Sequence, residues 1–351
     1  MVSAYLPNCI EYVITVLAVA RAGAIFSPLN PRFRSGELGA IVAQSRPRVV
    51  VVDDSRVAVL SDALDAAGLR AHLVVCGDQS VAAASTWSDA LTAVPAGDAP
   101  VEECDHFSLM FTSGTTGVPK GALATHRARM LWVLNACILY SLSEDDAYLG
   151  TMPLVHSAGL TFTLMHLYVG GTVHILRDFS PAAYPELVER RRITSSLVVP
   201  TMVVMILDEL RRSTRAPDLA SLRRLVTCGS PLQESTKAEV LERITPELYD
   251  YYGSTESNSM TVLKPRDQRL KPRSVGQPFY NVRIRILDEY GAEAPIGEAG
   301  EVVCRNPSLM STYRKTPRPP RPPSSTVGTA PATSAAWTRK VTCTWSDARA
   351  R

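Results

Sequence analysis

Cysteine is sparse and unpatterned in this chain. Cys9, Cys76, Cys104, Cys137, Cys228, Cys304 and Cys343 are an odd number, scattered, with no Cys-x-x-Cys pair. That usage speaks against a disulfide framework or a zinc site and for free thiols in a reducing cytoplasm. Charge of one sign is lacking too: 37 Lys and Arg face 34 Asp and Glu, a net charge of +3. A dedicated nucleic-acid binder would be far more basic. Long hydrophobic runs are missing, since none reaches the ~18–20 residues that span a bilayer. Ser195–Leu207 is shorter and contains Pro200, and Ile10–Phe26 is broken by Glu11 and Arg21. No basic stretch precedes the latter, so a signal peptide is not expected, and its apolar residues read as core packing. Internal repeats are absent.

What is present is globular: 351 residues, 46% hydrophobic and 20% charged, with ample material for one large or two ordinary domains. The β-branched runs Arg48–Val52, His72–Cys76, Phe107–Phe111, Thr172–Leu176, Ser195–Val199 and Leu222–Cys228 predict strands. Ser55–Ala67, Pro181–Arg192, Thr201–Arg212 and Gln233–Ile244 predict helices. Apolar strands alternating with amphipathic helices imply an α/β fold with a mostly parallel, buried sheet. Val282–Asp288 and Gly300–Arg305 alternate around Glu289-Tyr290-Gly291, which predicts an antiparallel β-rich segment over 275–310.

One segment carries chemistry. The strand ending at Phe111 runs into Thr112-Ser113-Gly114-Thr115-Thr116-Gly117-Val118-Pro119-Lys120-Gly121. Glycines let backbone N–H groups close around an anion, hydroxyls donate to phosphate oxygens, and a lysine neutralises charge. Pro119 before Lys120 excludes a Walker A loop. The plain alternative is a Ser/Thr/Gly connector, but a connector rarely follows a buried strand and ends in Pro-Lys-Gly.

This stretch resembles the phosphate loop of the adenylate-forming superfamily, and the resemblance continues in order along the chain. Pro153-Leu154-Val155-His156-Ser157-Ala158-Gly159 resembles its acyl-pocket segment, and Thr227-Cys228-Gly229-Ser230-Pro231-Leu232 its adenine-side strand and turn. Tyr251-Tyr252-Gly253-Ser254-Thr255-Glu256 resembles its Tyr-Gly-x-Thr-Glu motif, with Ser274–Pro278 and Gly297–Val303 matching later segments. The resemblance implies ATP-dependent activation of a carboxylic acid, a fatty acid above all, to acyl-AMP and then acyl-CoA.

It assigns roles residue by residue. Thr112, Ser113, Gly114, Thr115, Thr116, Gly117 and Lys120 would hold the β- and γ-phosphates. Gly229, Ser230 and Pro231 would line the adenine edge, and Tyr252 with Gly253 its face. Thr255 would bond the α-phosphate, and Glu256 would hold Mg²⁺, a hard cation suited to one carboxylate plus phosphate oxygens. His156 and Gly159 would border the acid. Coenzyme A is the implied co-substrate. His72, His106, His126, His166 and His174 have no ligand-like spacing and receive no role.

The resemblance also predicts a large domain over 1–316, incomplete at its start because Leu6-Pro7-Asn8 follows Met1 so closely. Residues 317–351 are a different kind of sequence, with six basic residues and one acid. They read as a Pro/Ser/Ala linker, as a basic interaction tail, or as an aberrant, disordered product of a frameshift near codon 317. With permitted synonymous codons, Ser325–Arg349 re-reads one base out of register as Asp-Gly-Trp-Tyr-Arg-Thr-Gly-Asp-Leu-Gly and onward, the continuation this superfamily would have. On that reading the small C-terminal domain is missing and adenylation is impaired. The competing functions are a non-catalytic, nucleotide-binding remnant and an adenylation domain that loads a carrier protein.

Overall fold

The computed structural model describes residues 1–79, 81–94, 97–112 and 119–314. The proposed boundary at Thr316 and the tail lie outside the described residues. The chain first lays down β1 (Val2–Tyr5), α1 (Ile10–Arg21), β2 (Phe26–Pro28), α2 (Ser35–Ser45), β3 (Val49–Asp53), α3 (Val57–Ala66), β4 (His72–Cys76), β5 (Ser85–Thr86) and α4 (Trp87–Thr92). Next come β6 (His106–Thr112), β7 (Lys120–Thr125) and α5 (His126–Leu139). The second half follows with β8 (Ala147–Gly150), α6 (Ser157–Tyr168), β9 (Thr172–Ile175), α7 (Ala183–Arg190), β10 (Ser195–Val198), α8 (Pro200–Arg212), β11 (Arg224–Thr227) and α9 (Glu234–Arg243). It closes with β12 (Leu248–Ser254), β13 (Asn258–Leu263), β14 (Gln277–Pro278), β15 (Arg283–Leu287), β16 (Glu301–Arg305) and β17 (Thr312–Tyr313).

These strands form two large sheets. One has the order β17-β7-β6-β2-β1-β3-β4-β5, the other β14-β13-β12-β11-β10-β8-β9. Both are parallel through their centres and become antiparallel at one side, at β6–β7–β17 and at β12–β13–β14. The valine run of β3 shows why: stiff β-branched side chains buried on both faces suit a covered parallel strand. β15 and β16 pair antiparallel as the predicted β-rich appendage.

Each large sheet is covered on both faces. On the first, α2 and α3 pack with Tyr5, Leu38, Ile41, Val50 and Leu60, and α1 packs Tyr12, Val13 and Val16 on the opposite side. On the second, α7, α8 and α9 bury Val188, Val203, Ile206 and Val240. α5 and α6 occupy the layer between the sheets. Leu160 of α6 joins the core against the first sheet, whereas Phe162 and Met165 join the core against the second. That explains why α6, Ser-Ala-Gly-Leu-Thr-Phe-Thr-Leu-Met-His-Leu-Tyr, is apolar nearly all round: it has no broad solvent face.

α1 departs from expectation. Its apolar residues are not all core, because Ile10 is 66% exposed and Ile14 and Leu17 are exposed as well. A helix lying on one sheet face buries a single stripe, here Tyr12, Val13, Val16 and Val19, and the other side remains outside.

Two polar devices brace the frame, the first between the two sheets and the second within the β8–β10–β11 part of the second sheet. The Asn8 amide donates to the carbonyls of Met152 and Leu176, both at 3.0 Å, and its oxygen accepts the Leu154 N–H at 2.8 Å. Asp146, whose side chain is fully buried, meets Arg224 at 2.6 Å and Arg223 at 3.0 Å and accepts from the Thr194 hydroxyl at 2.7 Å. Burial works to raise the Asp146 carboxyl, but Thr194, the Ser143 amide and the two guanidiniums outweigh it and hold the group below the usual range. A depressed folded-state pKa means that this stabilisation is present above the unfolded carboxylate range and fades as pH falls through the folded value. Asp146→Ala, which strands Arg224 in the interior, is expected to lower unfolding free energy by about 3 kcal/mol at pH 7. Urea melts of the two proteins check it, and the gap should narrow at acid pH.

Candidate active site

The site is built where the antiparallel ends of the two sheets come together. β6 and β7 form a hairpin whose last pair is Thr112 opposite Lys120. The loop residues Ser113, Gly114, Thr115, Thr116 and Gly117 lie outside the described residues, but both hairpin stems are placed. At the returning stem the buried Gln44 amide donates to the Pro119 carbonyl at 3.1 Å, so α2 fixes where the loop re-enters the sheet. Lys120 is exposed beyond it.

Thr255 and Glu256 sit in the tight turn joining β12 to β13, both half-buried. Ser254 and Ser257 brace that turn, each accepting the other's backbone N–H at 3.1 Å. The register slips between Tyr252 and Gly253, a bulge of the kind that re-aims side chains beside sites. Gly253 is obligatory here, because a Cβ would lie 1.9 Å from the Asn258 carbonyl oxygen. Asn306 holds the Ser257 carbonyl at 2.7 Å, and the Met310 N–H reaches the Glu256 carbonyl at 2.9 Å.

Glu256 has a partner that sequence reasoning did not assign. β17 pairs with β7, setting Tyr313 opposite Ala122, and the Tyr313 hydroxyl donates to Glu256 Oε1 at 2.9 Å. Lys120 Nζ lies over the same ring, 5.9 Å from its centroid. Burial, reinforced by Glu256, pushes the Tyr313 phenol up to about 12, so it remains a donor at neutral pH. The residue stood in the last family-like stretch of sequence, but a lone tyrosine there carries no chemical signature.

Beside this cluster is a cavity of about 590 Å³. Gly229, Ser230, Pro231, Tyr252 and Gly253, all expected on the adenine side, line it together. Lys237 and Asp250 line it too, as a buried ion pair at 3.0 Å, with Lys237 Nζ also donating to the Pro272 carbonyl at 2.9 Å. Burial raises the Asp250 carboxyl, and Lys237 opposes that rise. Sequence pattern offered no signal for this pair.

The acid-side segment is placed by α6. His156 is its N-cap residue, with an extended backbone and an exposed ring. Partial desolvation by surrounding protein atoms, joined by the charge of Arg32, lowers its pKa. Gly159 has a packing reason of its own: a Cβ would come within 2.5 Å of the Pro153 carbonyl oxygen, so glycine lets α6 start against that turn. Beneath it the buried Arg129 donates to Thr161 at 2.5 Å, Ser157 at 3.3 Å and Ser108 at 3.5 Å, tying α6 to β6. Burial alone lowers Arg129 to about 10.

His166, which was given no role, is buried against Tyr148 with a stacked ring at 4.5 Å and pushed down to about 4, a core residue. Among the described residues no group of three or more His, Cys, Asp or Glu side chains is arranged to hold a metal. A lone, half-buried Glu256 still fits Mg²⁺, which binds through one or two carboxylates and takes its other ligands from phosphates and water. No described helix is long and apolar enough to cross a membrane.

Two covered α/β sheets, a hairpin joined by a Ser/Thr/Gly-rich stretch of sequence and a Tyr-Gly-x-Thr-Glu turn beside a cavity match the adenylate-forming fold. The chain belongs to the AMP-binding enzyme family, whose sequence profile matches residues 1–314. It is 34% identical over 312 residues to an indoleacetate–CoA ligase of Aromatoleum aromaticum, covering 87% of this chain and 60% of that protein. A feruloyl-CoA synthase of an Amycolatopsis species is 34% identical over 313 residues, covering 88% and 60%. Among solved structures, a long-chain-fatty-acid-CoA ligase of Archaeoglobus fulgidus superposes with a TM-score of 0.82 at 25% identity, over 90% of this chain and 64% of that one. The chain spans about 60% of the length of the first of its curated relatives.

His156 supplies a direct check on this geometry. Its NMR titration midpoint should fall below 6.5, the ordinary histidine value. Arg32→Gln should move it upward, since a neighbouring positive charge disfavours the imidazolium.

Proposed function

We propose that this chain binds ATP and a carboxylic acid and forms an acyl-adenylate, the first half of an AMP-forming acid–CoA ligase reaction. The single observation that carries the reading is that Lys120 and Glu256, far apart in sequence, meet at the Tyr313 ring, while the strand that leads into the Glu256 turn brings Tyr252 and Gly253 to the wall of the cavity. The base enters between Tyr252 and the Gly229–Pro231 turn. Its triphosphate runs toward the hairpin, where Lys120 neutralises charge and the hydroxyls of Thr112 and the loop donate to phosphate oxygens. Thr255 donates to the α-phosphate.

An acid entering beside His156 presents a carboxylate oxygen to the α-phosphorus. A new P–O bond forms as the bond to the bridging oxygen breaks, and pyrophosphate departs toward Lys120. Bound Mg²⁺ at Glu256 would add charge neutralisation for the phosphate oxygens. The preorganised donors lower the barrier by meeting charge where it develops. Coenzyme A would then attack the acyl carbon through its thiol and release AMP. The large domain over 1–316 is the unit to which this chemistry is assigned, in a cytoplasmic setting.

The named relatives favour an aromatic acid over the fatty acid suggested by the sequence. Indoleacetate and feruloyl-CoA ligases are first among them, whereas a fatty acid ligase comes later at 29% identity. Loading of a carrier protein is the second reading, since that relative acts on an acyl carrier protein by name.

Isothermal titration of the 351-residue chain should show ATP binding, with Lys120→Ala weakening it roughly tenfold or more through loss of a charge-assisted phosphate contact. Exchange of labelled pyrophosphate into ATP should depend on added aryl acid and drop sharply in Glu256→Gln. Binding without exchange would favour the nucleotide-binding remnant, and absence of binding would end the proposal.

A further inference from the structure

Lys120 and Glu256 carry opposite charge on adjoining segments, and the proposed chemistry needs both unneutralised. Lys120 must meet phosphate, and Glu256 must meet a cation. Among the described residues no ion pair joins them. What stands between them is the Tyr313 ring. Its hydroxyl occupies Glu256 Oε1 at 2.9 Å, and its face carries Lys120 Nζ at 5.9 Å from the centroid. The ring is itself held in place by backbone: β17 pairs with β7 at Thr312–Leu123 and Tyr313–Ala122, and the Arg314 N–H donates to the Gly121 carbonyl at 2.7 Å. The phenol therefore comes from the strand adjacent to Lys120 and reaches across to the turn that bears Glu256.

We infer that Tyr313 is a positioning residue that acts as a spacer: its ring keeps Lys120 from pairing with Glu256, while its hydroxyl fixes one carboxylate oxygen and leaves the other for a divalent cation. This rests on the reading of the site as an ATP site. A cation on an aromatic face is held by the ring quadrupole without losing its ability to meet an anion. A hydroxyl donated to one carboxylate oxygen leaves the second with its lone pairs. With the ring gone, the flexible lysine could swing onto the carboxylate, and each charge would cancel the one the substrate needs.

The test compares ATP affinity with Mg²⁺ and with EDTA, by isothermal titration of the purified 351-residue chain. The quantity read is the ratio of the two dissociation constants. In the unaltered protein Mg²⁺ should strengthen ATP binding. In Tyr313→Ala that ratio should shrink by about fivefold, the scale of one partly exposed ion pair. Tyr313→Phe keeps the ring and should retain most of the ratio. Lys120→Met added to Tyr313→Ala should restore the ratio even though ATP binds more weakly overall, because Glu256 is released again. Circular dichroism and thermal melts confirm that each variant is folded.

A wild-type ratio in folded Tyr313→Ala overturns the inference, and so does equal loss in Tyr313→Phe and Tyr313→Ala, which would leave the ring no role as spacer. Failure of the unaltered chain to bind ATP overturns the functional reading itself, and the spacer with it. The two failures are told apart by which protein shows them.

Discussion

Two sheets that share one apolar layer set the terms for the rest of the molecule. α6 packs against both, with Leu160 turned to one core and Phe162 and Met165 to the other, and α5 sets Trp132 and Ala136 in the second core and Arg129 over Phe107 of the first. Interiors of this density do not deform gradually, so the relative placement of the sheets is fixed by side-chain fit. The antiparallel corners of both sheets then fall side by side. One brings the β6–β7 hairpin, the other the β12–β13 turn, and the cavity lies beside that turn. Hydrogen bonds refine the fit: Asn8 from the first sheet grips the Met152–Leu154 segment, and Arg129 ties α6 to the strand that leads into the loop.

Electrostatics follow from that placement. The molecule's buried charges are matched or spread over several donors and acceptors, as at Asp146–Arg224, Lys237–Asp250 and Arg129. The cluster of Lys120, Tyr313 and Glu256 is different. Lys120 and Glu256 stay apart with an aromatic ring between them, a waste of Coulomb energy unless a ligand brings charges of both signs. A magnesium–triphosphate does bring both.

Much of the architecture was legible in the sequence. The valine run of β3 and the His72–Cys76 strand show themselves because buried parallel strands concentrate β-branched residues. α8 and α9 show themselves because a one-sided helix alternates with period 3.6. α6 gave no such signal, since a helix covered on both sides loses its polar stripe. α1 misled for the opposite reason: its apolar residues include an exposed set, Ile10, Ile14 and Leu17, that composition cannot tell from core. At the site, Tyr252, Gly253 and Glu256 drew notice because they stand in a string that resembles a known motif, and the structure sets Tyr252 and Gly253 at the cavity wall and Glu256 on the turn that follows. Asn8, Gln44, Lys237 and Tyr313 were not, because each acts through partners between 13 and 168 positions away. No local pattern encodes such a contact.

On the proposed reading, one nucleotide bridges the cavity at Tyr252 and the hairpin at Lys120. A crystal structure of the chain with a non-hydrolysable ATP analogue and Mg²⁺ tests it most directly. The base should lie between Tyr252 and the Gly229–Pro231 turn, with the terminal phosphates against Lys120 and the metal on Glu256. A nucleotide seated elsewhere, or a base in the cavity with its phosphates directed away from the hairpin, would contradict it.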